Sequence, residues 1–444
     1  MREPSCSRNA DPARSGTARA LSPRVAVKWI AFFGAVFIGV PMLRAVLAKD
    51  PRARAWAVTF VCFDLFNPMH INLISQENYR GDSRGIEITT VDLVLLALRF
   101  ALPKTKDRPA TRHLFVRGLF YLSVLLSFTE TPDVLKSTFS LWKLTRLFMA
   151  FDTLALAFLD VQLVSAATAG LAFGVLWQGW MVLWQKYVQH AIRTVGTMPH
   201  PNSLSMIVNL IAPIAFALWL SGRARKYAPL VVASAGISVI ASLSRGGMMM
   251  FVMATGLGSV AAFARGYEKR KVKIIGALLF GAGIVLARSI DTIIERFTTA
   301  PKESELARVL FNKAAKMMAD EHMFGVGINM YSYVLDTGGY ADRLHIEPGD
   351  RNGIAHNIYW LTIAETGYFG VVAYLLVIAS VLISTIRLAT KGGFRGDIGV
   401  GLTLGLATMV LQGTAEWIAR QTPMAYAFWT FAAMASGLRG SARS

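Results

Sequence analysis

Apolar runs separated by short polar segments recur along the whole chain, and most are long enough to cross a bilayer as an α-helix. They fall at about 27–47, 56–66, 88–102, 113–128, 144–159, 161–184, 200–223, 228–243, 246–263, 274–287, 357–386, 398–411 and 423–438. The pattern predicts an all-α, polytopic membrane helical bundle of about 12–13 spans. One long polar insertion interrupts it, at 291–355. The expected layout is a polar, disordered tail (1–24), membrane helices (25–290), an external loop (291–355), further membrane helices (356–438) and a cytoplasmic tail (439–444).

Composition agrees: 54% of the 444 residues are hydrophobic and 16% charged, against roughly 25% charged in soluble domains. The net charge of +19 raises the question of nucleic acid. The positive charge, however, is dispersed over short loops between apolar runs, which is the positive-inside pattern of a membrane protein. No nucleic-acid partner is expected. Cys6 and Cys62 lie far apart and predict neither a disulfide nor a thiol site.

The basic loops orient the chain. With 104–112, 223–226, 265–273 and 387–395 cytoplasmic, the 244–247 turn and the 291–355 loop face outward. That loop carries ten acidic and seven basic residues, unlike the basic inner loops. His200, Arg245, Arg308 and His356 then share one external face. Thirteen spans would put the arginine-bearing N-terminus outside, against the rule, so the path of the first 70 residues stays open.

Arg245 precedes Gly246 and Gly247 at the start of an apolar run. It can snorkel to headgroups, or join a glycine-led helix N-terminus in binding phosphate. Arg308 lies on an amphipathic helix expected over 304–320, capped by Ser304, with Leu306, Leu310, Ala314, Met317 and Met318 on one face. Arg308, Asn312 and Lys316 fall on the other, which is also what a solvated face looks like. His356 opens a long apolar helix, where the N-terminus disfavours imidazolium. It could act as a general base or simply bond to backbone. Glu365 lies nine residues deeper, about half a turn round from His356, and reads as a hydrogen-bonding group between helices. No zinc spacing, P-loop, dinucleotide fingerprint or nucleophile elbow occurs in a fitting context, so no metal and no cofactor are expected.

These residues carry a resemblance. Ser244-Arg245-Gly246-Gly247 at a turn between spans, Arg308 opening an external helix that runs into Asp320-Glu321-His322-Met323-Phe324-Gly325-Val326-Gly327, and Ala355-His356-Asn357 before a span with Glu365-Thr366-Gly367 look like the O-antigen ligase and polysaccharide polymerase superfamily. His200-Pro201-Asn202 before a span is similar too, and Tyr79-Arg80-Gly81 and Gly85-Ile86-Glu87 more faintly. The resemblance implies a fold similar to C-type membrane glycosyltransferases in the bacterial inner membrane. It implies a metal-independent glycosyltransferase moving a glycan from undecaprenyl diphosphate to an acceptor hydroxyl on the periplasmic side. The acceptor would be another glycan or lipid A–core, with membrane lipids and other polysaccharide-assembly proteins as partners.

Carried onto this chain, Arg245 and Arg308 would hold the diphosphate and His356 would activate the acceptor. Gly246, Asn357, Glu365, His200 and Asn202 would support them. With no recognisable core-binding module, the reading leans to a polymerase over a ligase. The alternative from another class is a transporter or flippase of a lipid-linked or anionic substrate. That would favour ionisable groups at mid-membrane and an internal repeat, whereas the candidates here gather at one face.

Overall fold

A computed structural model describes residues 23–67, 69–298 and 302–441. Residues 1–22 of the expected N-terminal tail, and 442–444 of the C-terminal one, lie outside the described residues.

The chain opens with α1 (Pro23–Gly34) and α2 (Val40–Lys49), joined by a π-helical turn. Asp50 then caps α3 (Pro51–Asp64) by accepting from the Arg52 N–H. A small antiparallel hairpin follows, β1 (His70–Ser75) and β2 (Gly85–Thr89). The reading by apolar runs did not foresee this hairpin, which falls in a polar connection. Thr89 and Asp92 form a capping box that opens α4 (Thr90–Ala101). Next come α5 (Leu114–Ser127), α6 (Val134–Ala157), α7 (Val161–Tyr187), α8 (Pro201–Leu220), α9 (Ala228–Ala241), α10 (Arg245–Ala264) and α11 (Lys269–Thr298). The polar insertion supplies α12 (Lys302–Glu321) and the short α13 (Tyr331–Thr337) and α14 (Tyr340–Arg343). The chain ends with α15 (Ile358–Ala389), α16 (Gly393–Gln412) and α17 (Thr422–Gly440).

Among the described residues, six helices are long and apolar enough to span a membrane: Val27–Lys49, α7, α8, α10, α15 and α16. Shorter apolar helices, α5 and α9, accompany them. Apart from the hairpin, the described residues form an α-helical, multi-pass membrane bundle. Several of the predicted runs are too short for a full span; α3 has 14 residues and α4 has 12, about 21 and 18 Å at 1.5 Å per residue.

Charged residues explain the shifted helix starts. α6 begins well before the apolar run at 144 because its cations are paired. Lys143 lies 2.9 Å from Asp82, and Arg146 lies 2.8 Å from Glu87 and 2.5 Å from Asp92. The start of the polar insertion is helical too, since α11 continues past Asp291. In α12, Ser304 sits inside the first turn, not before it. The buried face of α12 is Phe311, Ala314, Ala315, Met318 and Ala319, while Leu306 is 60% exposed.

α8 is the buried centre. α16 lies close against it through glycines: a Cβ at Gly401 would come 2.4 Å from the Ile214 Cα, and one at Gly405 would come 2.0 Å from the Leu210 carbonyl oxygen.

α15 is broken at Gly367, whose φ is 67°, so the carbonyls before the break lose helical partners. The Gly325-Val326-Gly327 turn supplies them: Val326 N–H donates to Ala364 at 2.9 Å and Gly327 N–H to Glu365 at 3.2 Å. Gly325 and Gly327 have φ of 76° and 101°. A Cβ on Gly325 would lie 2.4 Å from the Glu365 carbonyl carbon, so glycine is needed there both for conformation and for approach.

The two ends of the bundle differ in charge. At one end the 104–112, 223–226, 265–273 and 387–395 segments gather. Ala110 N–H bonds to Ser436, Arg395 to the Ser441 carbonyl, and Arg223 and Arg265 to Asp397. At the other end are the starts of α8, α10 and α15, the α16–α17 turn, the β-hairpin and the 325–331 segment. Asn329 ties the last two together, donating to the Ser83 and Lys136 carbonyls at 2.9 Å each.

Candidate active site

The site forms where helix starts meet the α16–α17 turn. Asn357 caps α15, its Oδ1 accepting from the Tyr359 and Trp360 N–H groups at 2.9 and 3.2 Å. Its Nδ2 donates to the Thr414 carbonyl at 2.8 Å, and Ile358 N–H donates to Gly413 at 3.0 Å. These bonds pin the start of α15 to the 413–416 turn and bring His356 beside Glu416. The His356 Nδ1 lies 3.6 Å from Glu416 Oε2. It is buried and, among the described residues, makes no hydrogen bond.

α12 contributes next. Phe311 stacks on His356 with ring centres 6.5 Å apart and planes 22° from parallel. The Phe311 carbonyl is fixed by the Tyr331 hydroxyl at 2.7 Å. One turn earlier, Arg308 Nη2 approaches Glu416 Oε1 at 3.5 Å. The Arg308 side chain is 39% exposed and that of His356 33%, whereas Glu416 is 9% exposed.

α8 completes the cluster. Asn202 Nδ2 donates to Glu416 Oε1 at 2.5 Å. His200 caps α8, its Nδ1 accepting from the Asn202 N–H at 3.2 Å, which assigns the proton to Nε2 in the neutral ring. Burial holds the His200 pKa below the usual range; Arg193, His356 and Arg308 push the same way, and only Glu416 opposes. One carboxylate therefore collects Asn202, Arg308 and His356 from three separate parts of the chain.

Arg245 and Gly246 reach this end by another route. Ser244 caps α10, accepting from the Gly247 N–H at 3.2 Å. The Gly247 carbonyl accepts from Asn209 at 2.8 Å, and a Cβ at Gly247 would lie 2.4 Å from that of Ser205. The start of α10 is thus seated on the early turns of α8, with Arg245 half-buried and Gly246 exposed. Arg193 joins the same rim, donating to the Ser242 carbonyl at 3.2 Å.

Glu365 does not join His356. It is buried at the α15 break, where Arg420 Nη1 lies 2.6 Å away and the Tyr331 N–H donates to it at 3.2 Å. Arg420 also pairs with Asp82 at 3.2 Å, and Lys143 with Asp82 at 2.9 Å. Burial alone would push the Asp82 carboxyl up; Arg420 and Lys143 outweigh it and hold it below the usual carboxylate range.

Glu416 and Arg193 were missed in the sequence. Glu416 had a weak signal, a lone acid in a short turn between two apolar helices, where Glu365 stood inside an apolar helix. Arg193 had none. Among the described residues, no group of three or more His, Cys, Asp or Glu side chains stands together as a metal-ligand set.

Residues 229–375 match the family model described as O-antigen ligase. The matched segment contains Arg245, Arg308, His356 and Glu365, while His200, Asn202 and Glu416 lie outside it. A comparison with curated proteins gives no match.

Proposed function

We propose that the protein is a glycosyltransferase of the ligase or polymerase type, as the match of residues 229–375 to the O-antigen ligase family model supports, and that it transfers a glycan from undecaprenyl diphosphate to an acceptor sugar hydroxyl on the periplasmic face of the inner membrane. The observation that carries this reading is the meeting of Arg308 and His356 on Glu416, from residues far apart in the chain.

In the proposed step, the acceptor hydroxyl oxygen attacks the anomeric carbon as the carbon–oxygen bond to the diphosphate breaks. The hydroxyl proton passes to His356 Nε2, and undecaprenyl diphosphate leaves with the bonding electron pair. Direct displacement inverts the anomeric centre. The charge developing on the leaving group needs fixed cations, and Arg308 and Arg245 supply them without a metal ion. Glu416, facing His356 Nδ1, favours the tautomer with the proton on Nδ1 and leaves Nε2 as the base. Asn357 positions His356 through the α15 cap. Asn202 holds Glu416, and His200 holds Asn202. Glu365 and Arg420 brace the α16–α17 turn from behind. The acceptor is either the end of another glycan or lipid A–core.

The test is transfer in vitro with purified protein, a lipid-diphosphate glycan and each acceptor in turn, with and without a chelator. Transfer that persists in chelator supports the reading; complete, metal-reversible loss would overturn the metal-free step. Movement of the lipid-linked glycan across vesicles without transfer would favour a transporter instead.

A further inference from the structure

The helices that present the candidate site at their starts form a second pocket, also rich in cations, at their far ends. α8, α10 and α15 begin at the site and end here, and α16 begins here and ends at the site. α8, α10 and α16 have 20 residues each, which separates the two ends by about 30 Å at 1.5 Å per residue, the thickness of a hydrocarbon core. The pocket therefore lies at the membrane's other interface.

Its volume is about 560 Å³, and its charged lining is Arg223, Arg265, Lys271 and Lys391 against Glu268 and Asp397. Asp397 fixes two of the cations, accepting from Arg223 Nε at 2.9 Å and Arg265 Nη1 at 3.1 Å. Arg265 also donates to the Gly396 carbonyl at 3.2 Å, and Lys271 to the Ala262 and Gly266 carbonyls at 2.9 and 2.7 Å. Arg223, Arg265 and Lys271 are thus held in place, while Lys391 stands exposed at the edge, and the cations outnumber the carboxylates. Ser221 and Thr390 also line the pocket. Toward the middle of the bundle the wall changes to Ala217, Gly258 and Ala261.

We propose that this pocket binds the headgroup of an anionic phospholipid, with its phosphate against Arg223, Arg265 and Lys391 and its acyl chains leaving along the apolar wall. Two observations favour a lipid over a soluble anion. The lining runs from cationic to apolar along the helix axes, and the pocket sits at the depth of headgroups. The site is independent of glycan transfer at the opposite end.

Native mass spectrometry of the purified full-length protein, titrated with phosphatidylglycerol, with phosphatidylcholine of the same acyl chains, and with inorganic phosphate, tests the proposal. The expected result is retention of phosphatidylglycerol at least about tenfold tighter than phosphatidylcholine, with no competition from millimolar phosphate. Lys391→Gln, at an exposed position, and the double variant Arg223→Gln/Lys391→Gln should each weaken retention by about fivefold per charge removed. Equal retention of the two lipids would overturn the proposal. So would displacement by inorganic phosphate, which would identify a soluble-anion site, or unchanged retention in a Lys391→Gln protein that unfolds at the wild-type temperature.

Discussion

Two polar clusters stand at the same end of the bundle, anchored four residues apart in one turn, yet they are built in opposite ways. The Arg420 cluster is saturated. Its contacts to Glu365, Asp82 and Lys143 run from 2.6 to 3.2 Å, and both carboxylates are 3% exposed. The Glu416 cluster is looser: Asn202 holds the carboxylate at 2.5 Å, but Arg308 and His356 stand 3.5 and 3.6 Å away, His356 Nδ1 has no hydrogen bond, and Arg308 is well exposed. A saturated buried network fixes one geometry. A carboxylate with partly exposed cations at longer range can release them to an incoming anion. The first arrangement suits a strut and the second suits a site.

The largest effect should come from the loose cluster. His356→Ala is expected to lower transfer by about 10²–10⁴-fold, and Arg308→Ala or Arg245→Ala by about 10²–10³-fold. The unfolding temperature should stay at the wild-type value in each. Full activity in any of them removes that residue from the site and weakens the contrast.

The saturated cluster should answer with stability. Arg420→Ala leaves Glu365 and Asp82 buried without their shared cation, at a cost of about 3–5 kcal/mol. Unfolding of the purified protein in detergent would measure this, and a variant as stable as wild type would show that Arg420 is no strut. The depressed Asp82 pKa gives the sign of a pH effect. Its stabilising contribution is complete above the unfolded value of about 3.9 and is lost as the pH falls below that toward the folded value. Wild type should therefore lose stability on acidification below about pH 4, with a smaller loss in Asp82→Asn.

What the sequence made legible follows the same division. Apolar runs marked the helices because burial in lipid demands them, and the basic loops marked one end because charge sorts by face. Glu365 stood out as an acid where polarity is costly, Arg245 and His356 as polar residues at helix starts, and Arg308 through the family resemblance. The break at Gly367 did not, because a glycine in an apolar run reads as helix until its partner turn is known. The early start of α6 was hidden for a related reason. Lys143 and Arg146 look like loop residues until Asp82, Glu87 and Asp92 arrive from the hairpin and α4. Pairing across distant segments is what one-dimensional patterns lack, and Glu416 is its sharpest case.

The seam between the clusters is the α15 break, and Gly325 tests it. Gly325→Ala places a Cβ against the Glu365–Gly367 backbone at a φ of 76°. The expected cost is about 1–3 kcal/mol, read as a lower unfolding temperature, together with reduced transfer because His356 and Glu365 share the short first segment of α15. Unchanged stability and transfer would mean that the turn does not brace the site.

The smallest expected effect is the most discriminating. Glu416→Gln keeps an oxygen for Asn202 but removes the charge that faces Arg308 and His356. At 3.5 and 3.6 Å these contacts are longer than hydrogen bonds and act through charge alone, about 1 kcal/mol, or roughly fivefold in rate. If Glu416 orients His356, kcat should fall by that factor. Glu416 also competes with a diphosphate for Arg308, so KM for the lipid-linked donor should not rise and should fall if the competition is strong. A purely structural Glu416 would instead lower the unfolding temperature and degrade kcat and KM together. The split between kcat and KM, at constant stability, separates a positioning carboxylate from a second strut.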